Sequence, residues 1–237
     1  MQLGLGTWKL PNTRLIDYAL QKGIDFIDTG DSYQFGISEL RIGASSLKEK
    51  ATICTKAGRN FYSNWTPWYK LPRKWMKDDD NIRGLWSDFR IDYLLFALSE
   101  SLKRLRIDTL DVWYLHDPSE KVLLDQEYHT LVSHVKEKGL AKKVGVTCSR
   151  QTQFDVALWT GKFDVFQIPF NPEVTWGRRF FDRLYDRLVL NKIFGRGKFL
   201  DHKYEMIAGV KKTGIRFIVG MYTEQEIDEN VKIYHEV

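Results

Sequence analysis

Eight times along the chain a short run of β-branched, aromatic or aliphatic residues is followed by a longer amphipathic stretch, and this alternation leaves few folds open. Strands joined by helix-length connections pair in parallel, because a parallel pair needs a crossover of a dozen or more residues. The strand candidates are LGLG (3–6), DFID (25–28), TICTK (52–56), LDVWYL (110–115), KKVGVT (142–147), DVFQIP (164–169), LVLNKI (188–193) and RFIVG (216–220). With 237 residues and no internal repeat, low-complexity tract or linker, the chain matches one α/β barrel of about 250 residues. The expectation is a single-domain (β/α)8 TIM barrel over residues 1–237, with a long Trp-rich loop after the third strand.

Helix signals agree with this frame. Leu94, Leu98, Leu102 and Leu105 recur at helical spacing and leave Lys103, Arg104 and Arg106 on the outer face, a stripe that belongs to the core. Thr223 and Glu226 form a capping-box pattern ahead of Ile227 and Val231, and Asn12 is placed to cap the first helix. The stretch EVTWGRRFFDRLYDRL (173–188) reads as a helix beginning soon after Pro169, which leaves the loops after the sixth and seventh strands short. From Gly58 to Asp88 the rhythm breaks: the segment holds Trp65, Trp68, Trp75 and Trp86 with no clean period. A loop in that position emerges on the barrel face where active sites lie. It is expected to be an ordered lid that presents Trp65 and Trp86 to a substrate.

Composition excludes several functions. Hydrophobic residues at 43% and charged residues at 28% are the mix of a globular protein. The net charge of +5 comes from Lys and Arg scattered along the chain, so no nucleic-acid footprint is indicated. Cys54 and Cys148 stand apart without metal-ligand spacing, so neither a disulfide framework nor a metal site is expected. No signal-peptide pattern opens the chain and no apolar stretch approaches membrane-spanning length. A cytoplasmic protein without a membrane or nucleic-acid partner is expected, with a monomer compatible with the sequence.

Polar residues arrive at matching strand ends. Asp28 closes the second strand, Lys56 the third, and His116 follows the fourth, while Tyr33 lies five residues beyond Asp28. In a barrel these converge on one rim. A phenol of ordinary pKa near 10 needs a nearby cation to work as an acid-base group at neutral pH. Lys56 supplies that cation, Asp28 holds Lys56 charged and oriented, and His116 is placed to fix a reacting oxygen. A hydride, if one moves, must come from a cofactor.

The stretches GLGTW (4–8), GIDFIDTGDSY (23–33), SEL with Gly43, ICTKAG (53–58), SLKRLRIDTLDVWYLHDP (101–118) and KVGV (143–146) resemble the aldo-keto reductase family, best over the first 150 residues and loosely beyond Phe170. The resemblance implies a nicotinamide-dependent oxidoreductase with Asp28, Tyr33, Lys56 and His116 as the catalytic set. The Leu-His-Asp-Pro ending at 115–118 is most similar to members that oxidise free aldoses, which implies a sugar or other carbonyl substrate, with Trp8 and His116 beside it. Implied cofactor contacts are Gly6, Thr7, Trp8, Asp28, Thr147, Cys148, Gln167, Gly220, Glu229 and Asn230. Family members hold the carboxamide with a Ser-Asn pair where this chain has Thr147-Cys148, and a thiol does not replace an amide. After the eighth strand, where relatives place basic residues for a 2′-phosphate, the chain reads GMYTEQE (220–226). NAD is therefore favoured slightly over NADP.

Two other classes fit the same barrel. A regulatory or scaffold protein would be expected to have lost part of the catalytic set, since folds do not dictate function. A lyase or isomerase using Lys56 for Schiff-base chemistry would need a depressed lysine pKa, which the neighbouring Asp28 opposes.

Overall fold

A computed structural model describes residues 1–59 and 87–237. The expected strands form: β1 (Leu3–Gly6), β2 (Phe26–Asp28), β3 (Thr52–Ala57), β4 (Leu110–His116), β5 (Ala141–Thr147), β6 (Val165–Pro169), β7 (Leu188–Asn191) and β8 (Arg216–Gly220). All pair in parallel with their sequence neighbours, and β1 pairs with β8, so the sheet closes into a barrel. The helices among the described residues are α1 (Arg14–Gln21), α2 (Ile37–Gly43), α3 (Ile91–Leu105), α4 (Glu120–Leu124), α5 (Gln126–Glu137), α6 (Gln151–Thr160), α7 (Phe181–Leu184), α8 (Lys203–Lys211) and α9 (Glu224–Glu236).

The period of two along each strand builds two cores. One set of side chains, including Leu5, Ile27, Trp113, Val146, Phe166, Leu190 and Phe217, packs outward beneath the helices. The alternate set fills the barrel with Phe26, Cys54, Val112, Tyr114, Val165, Val189 and Ile218. This interior is tight enough to dictate glycine: a Cβ on Gly145 would lie 2.5 Å from the Val165 carbonyl and 2.6 Å from the Tyr114 ring. The Arg216 guanidinium lies 4.6 Å from the centre of the Phe26 ring in the lower part of the barrel. Continuing the interior set one step towards the carboxyl ends gives Gly6, Asp28, Lys56, His116, Thr147, Gln167, Asn191 and Gly220, so the polar rim rides on the same pleat as the apolar floor.

Helix ends largely follow their sequence signals. Asn12 Oδ1 accepts the Leu15 N–H at 3.0 Å. Thr223 Oγ1 accepts the Glu226 N–H at 3.1 Å, while the Glu226 carboxylate reaches past the cap to the N–H of Tyr222 at 2.6 Å. One helix departs from expectation. Residues 173–188 give only a 3-10 turn at Trp176–Phe180 and the single turn α7. The aromatic rings explain the interruption: Trp176 and Phe180 both pack on Phe154 of α6, at 5.5 and 4.9 Å between centroids, and Phe181 packs on Phe170. Tertiary contacts of three large rings outweigh the local helix preference. Both cysteines are free and buried. No helix among the described residues is long and apolar enough to cross a membrane.

Candidate active site

The ends of β2 and β3 carry the most constrained group of the rim. Lys56, 1% exposed, donates to Asp28 Oδ2 at 2.5 Å and to the Thr29 carbonyl at 2.6 Å. Asp28 Oδ1 accepts from Gln167 Nε2 at 2.7 Å, and Gln167 Oε1 in turn accepts from Asn191 Nδ2 at 3.0 Å. Four strands are thus tied across the barrel by one chain of side-chain bonds. Thr7 Oγ1 donates to the Asp28 carbonyl at 3.0 Å, so Thr7 braces the strand end that holds Asp28. Behind β3, buried Glu39 accepts from Thr55 at 2.5 Å and from Arg104 at 2.7 Å, which clamps the residue preceding Lys56.

Tyr33 comes over this group from the loop after β2. The Lys56 ammonium lies 5.0 Å from the centre of its ring, the Trp8 ring meets it edge-on at 4.9 Å, and the His116 ring stands 6.3 Å away. Burial raises the pKa of the phenol, against the lowering effect of Lys56, so it stays above its ordinary value. The phenol therefore keeps its proton at neutral pH. Burial also pulls on Lys56, but Asp28 and Tyr33 outweigh it and hold the ammonium above its ordinary value. That direction is opposite to the one a Schiff-base lysine requires.

His116 is pushed well below the usual histidine range by burial, with Arg59, Lys56 and Lys192 adding to the effect. Its Nδ1 is buried with no hydrogen-bond partner. A neutral imidazole that finds no acceptor at Nδ1 carries its proton better on Nε2, so Nε2 is the donor available to a bound molecule.

The remaining expected residues fall in different places. Trp8 is 55% exposed at the mouth, whereas the Cys148 side chain is 1% exposed and belongs to the outer core. Burial also drives the Cys148 thiol well above its ordinary pKa; packed in that core, it offers nothing at the rim. Thr147 is buried beside His116, its hydroxyl accepting the Asp117 N–H at 2.9 Å. Gly220 ends β8 with the Tyr222 hydroxyl 2.5 Å from where a Cβ would stand, so a tyrosine covers that strand end. Glu229 is paired with Lys203 at 2.6 Å, and Asn230 is buried, donating to the Glu226 carbonyl at 2.7 Å while its Oδ1 has no partner. Trp65 and Trp86 lie outside the described residues.

Reading strand ends did not single out Asn191, because the seventh strand was expected to run on to Ile193; ending it at Asn191 puts that amide on the rim beside Gln167. Asp31 was also missed. It is 0% exposed and its carboxylate oxygens lack hydrogen-bond partners, so burial and then the charge of Glu39 raise its pKa well above the ordinary carboxylate value. Only burial, which sequence does not print, separates it from an ordinary turn aspartate.

A closed parallel barrel with an acid-base group at the carboxyl ends of its strands defines a class of enzyme-like barrels with one rim site. The chain belongs to the aldo/keto reductase family, which it matches over residues 2–181. It is 27% identical over 180 residues to a D-threo-aldose 1-dehydrogenase of Pseudomonas sp, covering 68% of this chain and 53% of that protein. A methylglyoxal reductase of Salmonella typhimurium is 30% identical over 150 residues, covering 61% of this chain and 44% of that one. The matched region thus spans about half the length of these relatives. The fold is shared with an aldo-keto reductase of Bacillus halodurans at a TM-score of 0.75 and 16% identity, over 98% of this chain and 86% of that one.

Proposed function

We propose that the chain is an NAD-dependent oxidoreductase that moves a hydride between nicotinamide and a carbonyl or hydroxyl carbon, with a sugar or sugar-like compound as substrate. The observation that carries this reading is the buried Asp28–Lys56 pair at 2.5 Å beneath the Tyr33 ring. In the reducing direction the phenol of Tyr33 gives its proton to the carbonyl oxygen, and the adjacent ammonium stabilises the phenolate that remains. Asp28 keeps that ammonium charged and fixed. Neutral His116 donates from Nε2 to the same oxygen and orients it. The cofactor supplies the hydride.

The residues present suit a nicotinamide. Asn191 Oδ1 is buried with no donor, the acceptor that a carboxamide N–H would satisfy, and Gln167 and Thr147 flank it on the rim. Asn230 Oδ1, midway along α9, is a second unmatched acceptor, suited to an adenine amino group near Glu229. NAD is preferred because the first turn of α9 carries Glu224 and Glu226. A 2′-phosphate there would face two carboxylates, one of them already paired with Arg14 at 3.0 Å, at a helix start whose capping N–H groups are partly taken. The sugar reading draws on the aldose dehydrogenase relative and on Leu115-His116-Asp117-Pro118.

The test is direct: fluorescence titration with NADH and NADPH, using the eight tryptophans as reporters, followed by rates on aldoses and small aldehydes. NADH is expected to quench at lower concentration than NADPH. Silence with both nucleotides would instead favour a scaffold role for the barrel.

A further inference from the structure

Beside the proton-transfer group, the mouth carries cations that the reaction above does not use. Arg59 follows β3, and its guanidinium lies 3.5 Å from Asp117 Oδ2. Asp117 follows β4, and its other oxygen accepts the Ser149 N–H at 3.0 Å. Lys192 follows β7, with Nζ 3.5 Å from Ser149 Oγ. These residues form one band across the mouth from β3 to β7, and His116 lies within the field of both cations.

The band is not neutral. Asp117 is shared by the whole group, Glu120 is engaged by Arg150 at 3.2 Å and Thr152 at 2.6 Å, and Arg196 stands close enough to Lys192 to depress its pKa, second to burial. Ser149 Oγ is a distant partner for a half-buried ammonium. Two of the residues also hold backbone conformations that non-glycine residues seldom adopt, Asp117 at φ 62° and Lys192 at φ 54°. Such conformations persist where the surrounding structure demands a particular side-chain direction. A half-buried ammonium with no carboxylate of its own among the described residues leaves a positive potential that an anion would neutralise.

Resting on the oxidoreductase reading, we infer that Arg59 and Lys192 form an anion clamp for the substrate, so that the preferred substrates carry a carboxylate or phosphate a few bonds from the reacting carbon. The recognised chemistry is a cluster of anionic oxygens. Uronic acids and sugar phosphates both supply it, and a neutral aldose does not.

The experiment is calorimetric titration of the whole protein with glucuronate, glucose 6-phosphate and glucose, each with and without saturating NADH, repeated on Lys192→Met, Arg59→Gln and Lys192→Arg. At least one charged sugar is expected to bind about 10- to 100-fold more tightly than glucose, the range of a charge-assisted hydrogen bond. The tighter of the two identifies the source of the anion. In Lys192→Met and Arg59→Gln the charged-to-neutral ratio is expected to fall towards one, while Lys192→Arg retains it, a rescue that a packing role would not give. Equal binding of charged and neutral sugars by the wild type overturns the clamp. So does a ratio unmoved by both variants, and weakened NADH binding at constant ratio assigns the cations to the dinucleotide diphosphate instead. Absent nucleotide binding with the sugar ratio intact would strike the oxidoreductase reading and leave the clamp standing.

Discussion

The Asp28–Lys56 pair and the rim from β4 to β7 differ in how completely their polar groups are matched. At the β2–β3 side every atom of the Asp28 carboxylate and the Lys56 ammonium's nearest acceptors are within 2.7 Å of a partner. At the β4–β7 side His116 Nδ1 and Asn191 Oδ1 have none among the described residues, where Lys192 reaches a hydroxyl at 3.5 Å. A group that must hold one proton affinity through each turnover is assembled in advance, because reorganisation at the moment of reaction would be charged against the rate. A surface that receives ligands keeps unsatisfied capacity until they arrive. On the proposed function, matching would separate the chemistry from the recognition within one rim.

The largest expected effect tests the matched side. Tyr33→Phe removes the proton carrier and is expected to lower kcat by at least about 10²–10⁴-fold with NADH affinity near wild type, measured by steady-state rates and fluorescence titration. Substantial residual turnover would remove Tyr33 from its role. Asp28→Asn is next. It leaves the buried Lys56 ammonium without its counter-charge, which costs about 3–5 kcal/mol, and denaturant unfolding should show the loss. A cost below about 1 kcal/mol would mean that the pair contributes no more than an exposed one.

The pH profile sharpens the same contrast. Because His116 is held neutral well below pH 6.5, kcat/KM for carbonyl reduction should stay level from pH 8 down through about pH 6, with no histidine-like loss. On the alkaline side it should fall only as the phenol ionises above its ordinary value near 10. A bell with an acid limb at about 6.5 would show that the imidazole is solvated and that the unmatched side is wetter than the structure indicates.

Asp31→Asn is a smaller effect and of opposite sign. With its pKa raised on folding, Asp31 binds its proton more tightly in the native state, so stability is lost as pH rises from 3.8 towards the folded pKa. The amide cannot ionise, and the variant is expected to melt higher at pH 7 by roughly 2–4 °C for each kcal/mol gained, with the difference vanishing near pH 4. At the bottom of the scale, breaking the exposed Lys198–Glu173 pair should change stability by less than about 1 kcal/mol.

Much of the first half of the fold was legible because its signals are local and redundant. The spacing of Leu94, Leu98 and Leu105 specifies α3, and period two carries Asp28, Lys56 and His116 to a common rim. Beyond Pro169 the signals weaken. The segment 173–188 looks helical by composition, yet its form is set by where Trp176, Phe180 and Phe181 meet Phe154 and Phe170, distances that a linear pattern does not contain. Gln167 illustrates the limit at the site. Its position was readable, but its bonds to Asp28 and Asn191 depend on three strands closing around it, so its bracing of the Asp28 carboxylate emerges only in three dimensions. Arg59 and Lys192 were passed over as two cations among many, because nothing in their neighbours along the chain ties them to one another.

The shared pleat of floor and rim has a consequence for how such a barrel can change. A substitution at a strand tip keeps the alternation of the strand below it, although each tip still answers to its neighbours: a side chain at Gly6 would press on Ile218 of the floor, and Asn191 is tied through Gln167 to Asp28. An inserted or deleted residue inside any strand inverts that strand's two faces at once, and burying Lys56 or Asp28 under a helix would end folding and chemistry together. Diversity in such a scaffold must accumulate at the tips and in the loops, while the strand interiors can vary only in step with their neighbours.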